Sequence, residues 1–173
     1  PVVAGSWLAH VPVILHESDI TPGLANKLAV PFASLICTSF PETKDHIHKK
    51  EVLHTGSPVR RSLLTGDKKK GLALCGHAGK KPVLMIMGGS TGALAVNEAV
   101  DTALGQILQH FNIIHIRGKK NLKPQLNQKG YKQFEYVTDD LKHLMAAADI
   151  VLSRAGANAI FEFLALGKPM LLI

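Results

Sequence analysis

Short apolar runs alternate along this chain with longer stretches whose apolar residues recur at helical spacing. Residues 83–87 (VLMIM) are an uninterrupted apolar run, too short for a helix and bounded by Pro82 and by glycines, and so predict a central parallel strand covered on both faces. Residues 91–110 carry leucine, alanine and valine at helical spacing and predict a helix. Residues 112–116 predict a second strand, 131–137 an edge-like third, and 139–148 a short helix with Leu141, Leu144 and Met145 on one face. Strand 150–153, helix 158–166 and strand 170–173 continue the alternation, which calls for an α/β fold with a parallel sheet and helices on both faces. The chain stops inside that last strand, an odd place for a domain to end.

The preceding block reads in the same way. Residues 11–15 predict a short buried strand ending at His16 and Glu17, and Pro22 and Gly23 open a helix through about residue 30. Strand 35–39, a polar helix over 41–50 and strand 52–55 follow, and Gly56, Ser57 and Pro58 make a closing turn. Residues 60–81 are rich in lysine and glycine with weak periodicity. Helix starts are visible at 60–64 and 70–75, but the stretch as a whole, 61–81, is expected to be an interdomain linker.

Composition narrows the class. A chain of 173 residues, 46% hydrophobic and 5% aromatic, suits a soluble α/β protein of one ordinary domain, or of a domain and part of a neighbour. The longest apolar stretch, 1–15, is interrupted by Ser6, His10 and Pro12 and has no basic segment before it, so neither a membrane span nor a signal peptide is expected. Cys37 and Cys75 have no zinc-like spacing, which points to no metal site and to a reduced, cytoplasmic setting. The net charge of +7 favours anionic partners. Lys68, Lys69, Lys70, Lys80 and Lys81, and then Arg117, Lys119 and Lys120, are not interleaved with base-stacking aromatics. They read as solvated basic segments, and no nucleic-acid partner is expected.

The candidate chemistry lies in two strand-turn-helix segments, MIMGGSTGA from Met85 and IVLSRAGANAIFE from Ile150. Glycine at such a turn lets backbone N–H groups approach a ligand, and the helix start favours negative charge, so a pair of these turns suits a nucleotide diphosphate. Each residue also has a plainer reading. Gly88, Gly89 and Gly92 would serve helix packing alone; Glu162 is either a charge near a helix N-terminus or a carboxylate for ribose hydroxyls; Arg154 pairs with a carboxylate or faces a phosphate. His16 and Glu17 end a strand, where ligands gather in open α/β sheets, although a surface histidine is the default.

HESDITPGLANKLA from His16, TGSPVR from Thr55, MIMGGSTGALAVNEAV from Met85 and SRAGANAIFEFLALGKPMLLI from Ser153 resemble the MurG family of UDP-N-acetylglucosamine-dependent transferases. The resemblance covers nearly the whole chain, with the motifs in order. It implies a GT-B architecture of two Rossmann-like domains facing across a cleft, both incomplete here: the latter part of an acceptor-side domain over 1–60, and a donor-binding domain over 82–173. It implies inverting, metal-independent transfer of N-acetylglucosamine from UDP-GlcNAc to lipid I, giving lipid II for peptidoglycan, with no cofactor. By the same resemblance Glu162 matches the residue that holds the donor ribose, and Ser90 and Gly89 the loop beside the diphosphate. Arg154 and Gly156 flank the second loop, Val137 and Thr138 meet the uracil, and Arg60 lies near the donor. His16 and Asp19 fall on the acceptor side, Asp19 standing where many members have asparagine. A peripheral place at an anionic membrane surface, on the cytoplasmic side of the bacterial plasma membrane, is implied too.

The glycine-rich segment in which the family carries a candidate general base does not occur in this sequence, nor does the glutamine-bearing segment that reads the donor sugar. The base is therefore unassigned, and the chain alone is expected to be inactive. The rival readings are a GT-B sugar-nucleotide epimerase, a non-catalytic binding module and a dinucleotide oxidoreductase. For the last, the second strand should end in an acidic residue; here 112–116 runs into Arg117, Gly118 and Lys119, which argues against NAD and leaves NADP.

Overall fold

A computed structural model describes residues 2–48, 50–78, 81–89 and 92–173. The chain divides into two compact units, Pro1–Pro58 and Val59–Ile173.

The first unit holds helix α1 (Val2–Leu8), strand β1 (Ile14–Glu17), helix α2 (Leu24–Ala29), strand β2 (Leu35–Thr38) and strand β3 (Val52–His54). The strands form a parallel sheet in the order β1-β2-β3. Ala33, Ile36 and Ile47 make its buried centre, with Leu15, Val30 and Val52 packed around them. Helix α1 was not foreseen in the apolar stretch; Trp7 stands edge-on to Phe32 with ring centroids 5.5 Å apart. The predicted polar helix over 41–50 is a shorter 3-10 helix, Pro41–His46, which ends where Ile47 turns extended and enters the core.

The second unit contains helix α3 (Lys68–Cys75), strand β4 (Val83–Met87), helix α4 (Leu94–His110), strand β5 (Asn112–Ile116), strand β6 (Tyr131–Phe134), helix α5 (Leu141–Ala147), strand β7 (Ile150–Ser153), helix α6 (Ala157–Ala165) and strand β8 (Met170–Leu172). All five strands are parallel, in the order β6-β5-β4-β7-β8. Successive residues of β4 feed opposite faces. Met85 packs with Ile114, Val151, Leu144, Met145 and Phe163, whereas Ile86 packs with Ile113, Val96, Val100 and Leu104. Burying a side chain such as Met85 stabilises by roughly 1.5–3 kcal/mol, and the double coverage is why β4 is apolar throughout.

Residues 61–75 are not a linker. A 3-10 helix (Arg61–Thr65) and α3 belong to the second unit, where Leu63 and Cys75 are buried in the core. Asp67 caps α3 by accepting the Lys70 amide at 3.0 Å. The glycines that disguised the pattern are contact residues: a Cβ at Gly66 would collide with the carbonyl of Lys142, and one at Gly71 with that of His143, so α3 and α5 meet almost backbone to backbone. The basic residues are correspondingly less free than solvated segments would be. Lys68 pairs with Asp149 at 2.7 Å, and Arg117 is 1% exposed. Lys80 lies outside the described residues.

Candidate functional site

The strand order places the topological switch of the second unit at β4. The chain runs outward through β5 and β6, then returns to β7 and β8 on the other side. Ligands of open α/β sheets gather beyond the carboxyl ends of the strands at such a switch. Met87 is paired with Ser153, so the turns after β4 and β7 leave the sheet side by side. Helices α4 and α6 begin just beyond them, and neither N-cap, Ala93 or Gly156, makes a side-chain cap among the described residues. An uncapped helix start of this kind suits an anion.

Two clefts open at this edge. One, of about 520 Å³, is lined by Arg60, Met87, Gly89, Tyr136, Val137 and Thr138 among others. The other, of about 500 Å³, is lined by Gly88, Gly89, Ser153, Arg154, Gly156 and Ile173 among others. Met87 and Gly89 are common to both. Arg60, Gly89, Val137, Thr138, Arg154 and Gly156 are therefore brought to adjoining clefts, whereas Glu162 lines neither and Ser90 lies outside the described residues.

Glu162 joins them through Arg60. Its Oε1 accepts from Arg60 Nε at 2.8 Å and its Oε2 from Nη2 at 3.2 Å. The hydrogen bond that Arg60 donates to Glu162 raises the Arg60 pKa above its ordinary value against a smaller opposing effect of burial. Glu162 sits beyond the first turn of α6, where the helix dipole has faded, so its partner is the arginine rather than the helix end.

In the first unit, His16 is exposed and its Nε2 lies 3.1 Å from the Gly56 carbonyl. Asp19 is exposed as well, its amide donating to Glu17 Oε1 at 3.0 Å and its carbonyl accepting from Thr43 Oγ1 at 3.0 Å. Glu17, 4% exposed, organises this turn, because its carboxylate also accepts from the Gly23 amide and from Asn26 Nδ2. Burial pushes its pKa up, but the hydrogen bonds from Asn26, Asp19 and Gly23 together outweigh that and leave it below the usual value.

A buried polar cluster behind the turn after β4 went unforeseen. Arg117 makes a two-pronged bond to Asp101, at 2.6 and 2.9 Å, and a 2.9 Å bond to the Tyr131 hydroxyl. His115 lies between Tyr131 Oη and Asn97 Oδ1, each at 2.9 Å. The only sequence signal was a histidine within the apolar run 113–116 and an arginine directly after it. Arg117 is thereby engaged by Asp101 rather than free for the 2′-phosphate of NADP, which weakens the oxidoreductase reading. Among the described residues no three His, Cys, Asp or Glu side chains converge as metal ligands would, and no helix is long and apolar enough to cross a membrane.

Residues 83–173 match the glycosyltransferase family 28 C-terminal domain. The whole chain is 56% identical to a UDP-N-acetylglucosamine--N-acetylmuramyl-(pentapeptide) pyrophosphoryl-undecaprenol N-acetylglucosamine transferase of Geobacillus kaustophilus and to one of Clostridium botulinum, covering 49% of each. It thus spans about half the length of the curated relatives it matches. Among solved structures, MurG of Acinetobacter baumannii aligns over 99% of this chain and 48% of its own with a TM-score of 0.69 at 24% identity, so the likeness there is one of fold. The parallel α/β units are those of that GT-B protein, and the chain belongs to glycosyltransferase family 28, whose C-terminal domain it carries.

Proposed function

We propose that the protein carrying this chain transfers N-acetylglucosamine from UDP-GlcNAc to lipid I, forming lipid II, and that residues 83–173 with Arg60 hold the donor. The observation that carries this reading is the side-by-side arrangement of the turns after β4 and β7 at the switch point, with Arg60, Val137, Thr138, Arg154 and Gly156 around them. The relatives named above are transferases, which favours this reading over an epimerase or an NADP enzyme.

In this reading the acceptor C4 hydroxyl attacks the anomeric carbon, the bond to the diphosphate oxygen breaks, and UDP departs with inversion. The free N–H groups at the starts of α4 and α6, with Arg154, stabilise the charge that develops on the diphosphate. Val137 and Thr138 offer backbone groups to the uracil, and Glu162 accepts the ribose hydroxyls once Arg60 yields it. His16 and Asp19 face the acceptor. No residue here is assigned as the general base. The lipid-linked acceptor and the +7 balance of this chain support a place for the protein at the cytoplasmic face of an anionic membrane surface; flotation of the intact protein with liposomes, with and without anionic lipid, tests this, and no binding to either would refute it.

The decisive experiment is calorimetric titration of the intact protein with UDP, with NADPH as comparator and Glu162→Ala as control. UDP binding that disappears in Glu162→Ala is the expected result. Equal binding by both proteins would remove Glu162 from the site, and NADPH bound in place of UDP would overturn the donor reading.

A further inference from the structure

The glycine-rich turn after β4 does not stand on its own backbone. Gly92 has φ +79°, and its amide donates to the Gly89 carbonyl at 3.1 Å, closing a tight turn. A Cβ at Gly88 would collide with the amide of Ala93, so the turn is folded back onto the start of α4. A Cβ at Gly92 would collide with the backbone carbonyl of Arg117, which means that the turn is seated directly on the residue that follows β5.

That carbonyl is itself held from several directions. It accepts from Asn97 Nδ2 at 3.0 Å and from Asn121 Nδ2 at 3.2 Å. The Arg117 side chain grips α4 through both Asp101 oxygens and clamps the following loop through the Asn121 carbonyl at 2.6 Å. Lys123 adds a bond to Asp101 at 2.8 Å. The polarity of the chain of bonds is fully determined. Asn97 gives its amide hydrogens to Arg117, so its oxygen accepts from His115 Nε2–H; Nδ1 of that neutral ring then accepts from the Tyr131 hydroxyl, whose oxygen accepts from Arg117. A network with every member satisfied is rigid, and it fixes the platform on which Gly92 rests.

We propose that Arg117, through its pairing with Asp101, is a positioning residue for the diphosphate of the donor: it holds Gly92 and the start of α4 at the height from which the N–H groups of that first helical turn reach the phosphates. This inference rests on the donor reading above. It differs from a general stabilising role in where the side chain acts: the Arg117 guanidinium bonds to Asp101, Tyr131 and Asn121, against α4 and Gly92, and makes no described hydrogen bond to Val137 or Thr138 at the base-contacting end.

The test compares UDP with uridine, which lacks the phosphates, on the intact protein. Affinities are measured by calorimetry for UDP and by ligand-observed NMR for uridine, in wild type, Arg117→Lys and Gly92→Ala. Lysine keeps the charge opposite Asp101 but loses the fork, and alanine pushes the turn off the Arg117 carbonyl from the other side. The expected result is that UDP affinity falls about tenfold in each variant while uridine affinity is unchanged. Partial unfolding lowers both affinities by the same factor and leaves their ratio intact, so an unchanged ratio overturns the positioning role whatever the stability of the variants. Wild-type protein that binds UDP no better than uridine would instead refute the donor reading on which the inference stands.

Discussion

Arg60 and Glu162, 102 positions apart in sequence, face each other fork to fork, with Nε on Oε1 at 2.8 Å and Nη2 on Oε2 at 3.2 Å. Glu162 is largely covered, with 13% of its side chain exposed, whereas Arg60 is 60% exposed. An ion pair with one arm in water contributes little, at most about 1 kcal/mol. The contact therefore orients the carboxylate without committing it, and leaves its two oxygens open to exchange for other donors.

Replacing Arg60 by alanine is accordingly expected to lower unfolding free energy by less than about 1 kcal/mol, while weakening UDP binding about tenfold, since the arginine also borders the cleft. Urea denaturation and UDP titration of the same preparations read the two effects separately. A large loss of stability would show that the pair is structural rather than poised.

Acid sensitivity follows from His115. Burial, reinforced by the nearby Arg117 charge, lowers its pKa from 6.5 to about 4, with Asp101 opposing in part. Between those values the unfolded chain takes up a proton that the folded chain refuses, so stability falls as pH drops from about 6.5 to about 4, and this group adds nothing further below that. The full effect is about 3 kcal/mol. His77, also lowered mainly by burial, acts in the same direction. Asp101 belongs to a lower window: its bond from Arg117, with burial opposing, brings it from 3.8 to about 2, so its contribution is lost only over that range. Denaturation midpoints from pH 4 to pH 8 should rise with pH in the wild type and rise less in His115→Gln. Equal slopes would mean that His115 is charged in the folded protein.

Gly71 sets helix propensity against packing. Alanine in a helix interior gains about 1 kcal/mol over glycine. At this position the added Cβ would meet the His143 carbonyl and the Ala147 side chain, and forcing two backbones apart costs typically 1–3 kcal/mol. Gly71→Ala should therefore be destabilising on balance, by about 1 kcal/mol or more, as read from thermal and urea melts. A stabilised variant would show that α3 shifts on α5 without penalty.

What the sequence disclosed and what it hid divide on physical lines. Residues 83–87 could be read as a central strand because coverage on both faces leaves an unbroken apolar run. The turns at Gly88 and Arg154 could be read because glycine and small residues at a strand end have few other uses. Residues 61–75 were misread because close helix contact demands glycine at Gly66 and Gly71, and Lys68–Lys70 cluster at one end, so the apolar period is lost. The pairing of Arg60 with Glu162, and the assembly of Asn97, Asp101, His115, Arg117 and Tyr131, join side chains from separate elements. No local pattern encodes such contacts; each residue shows in sequence only as a polar group, and its partner is supplied by the sheet order.

Glu17 offers a test confined to the first unit. Its carboxylate, 4% exposed, accepts three hydrogen bonds, from the amides of Asp19 and Gly23 at 3.0 Å and from Asn26 Nδ2 at 2.9 Å. Glutamine has the same shape, yet its amide nitrogen would face at least one N–H group, leaving a donor against a donor in a covered place. Losing a hydrogen bond to a charged acceptor, with the remaining group unsatisfied, costs about 2 kcal/mol. The turn from Ser18 to Gly23 carries Asp19 and directly follows Glu17 at the end of β1, so loosening it should also loosen Asp19. Glu17→Gln is expected to destabilise the fold by about 2 kcal/mol in urea melts and to speed amide hydrogen exchange at Asp19 and Gly23, with exchange in strands β4 and β7 unchanged. Unchanged exchange at Asp19 and Gly23 would show that the turn is held by its backbone alone.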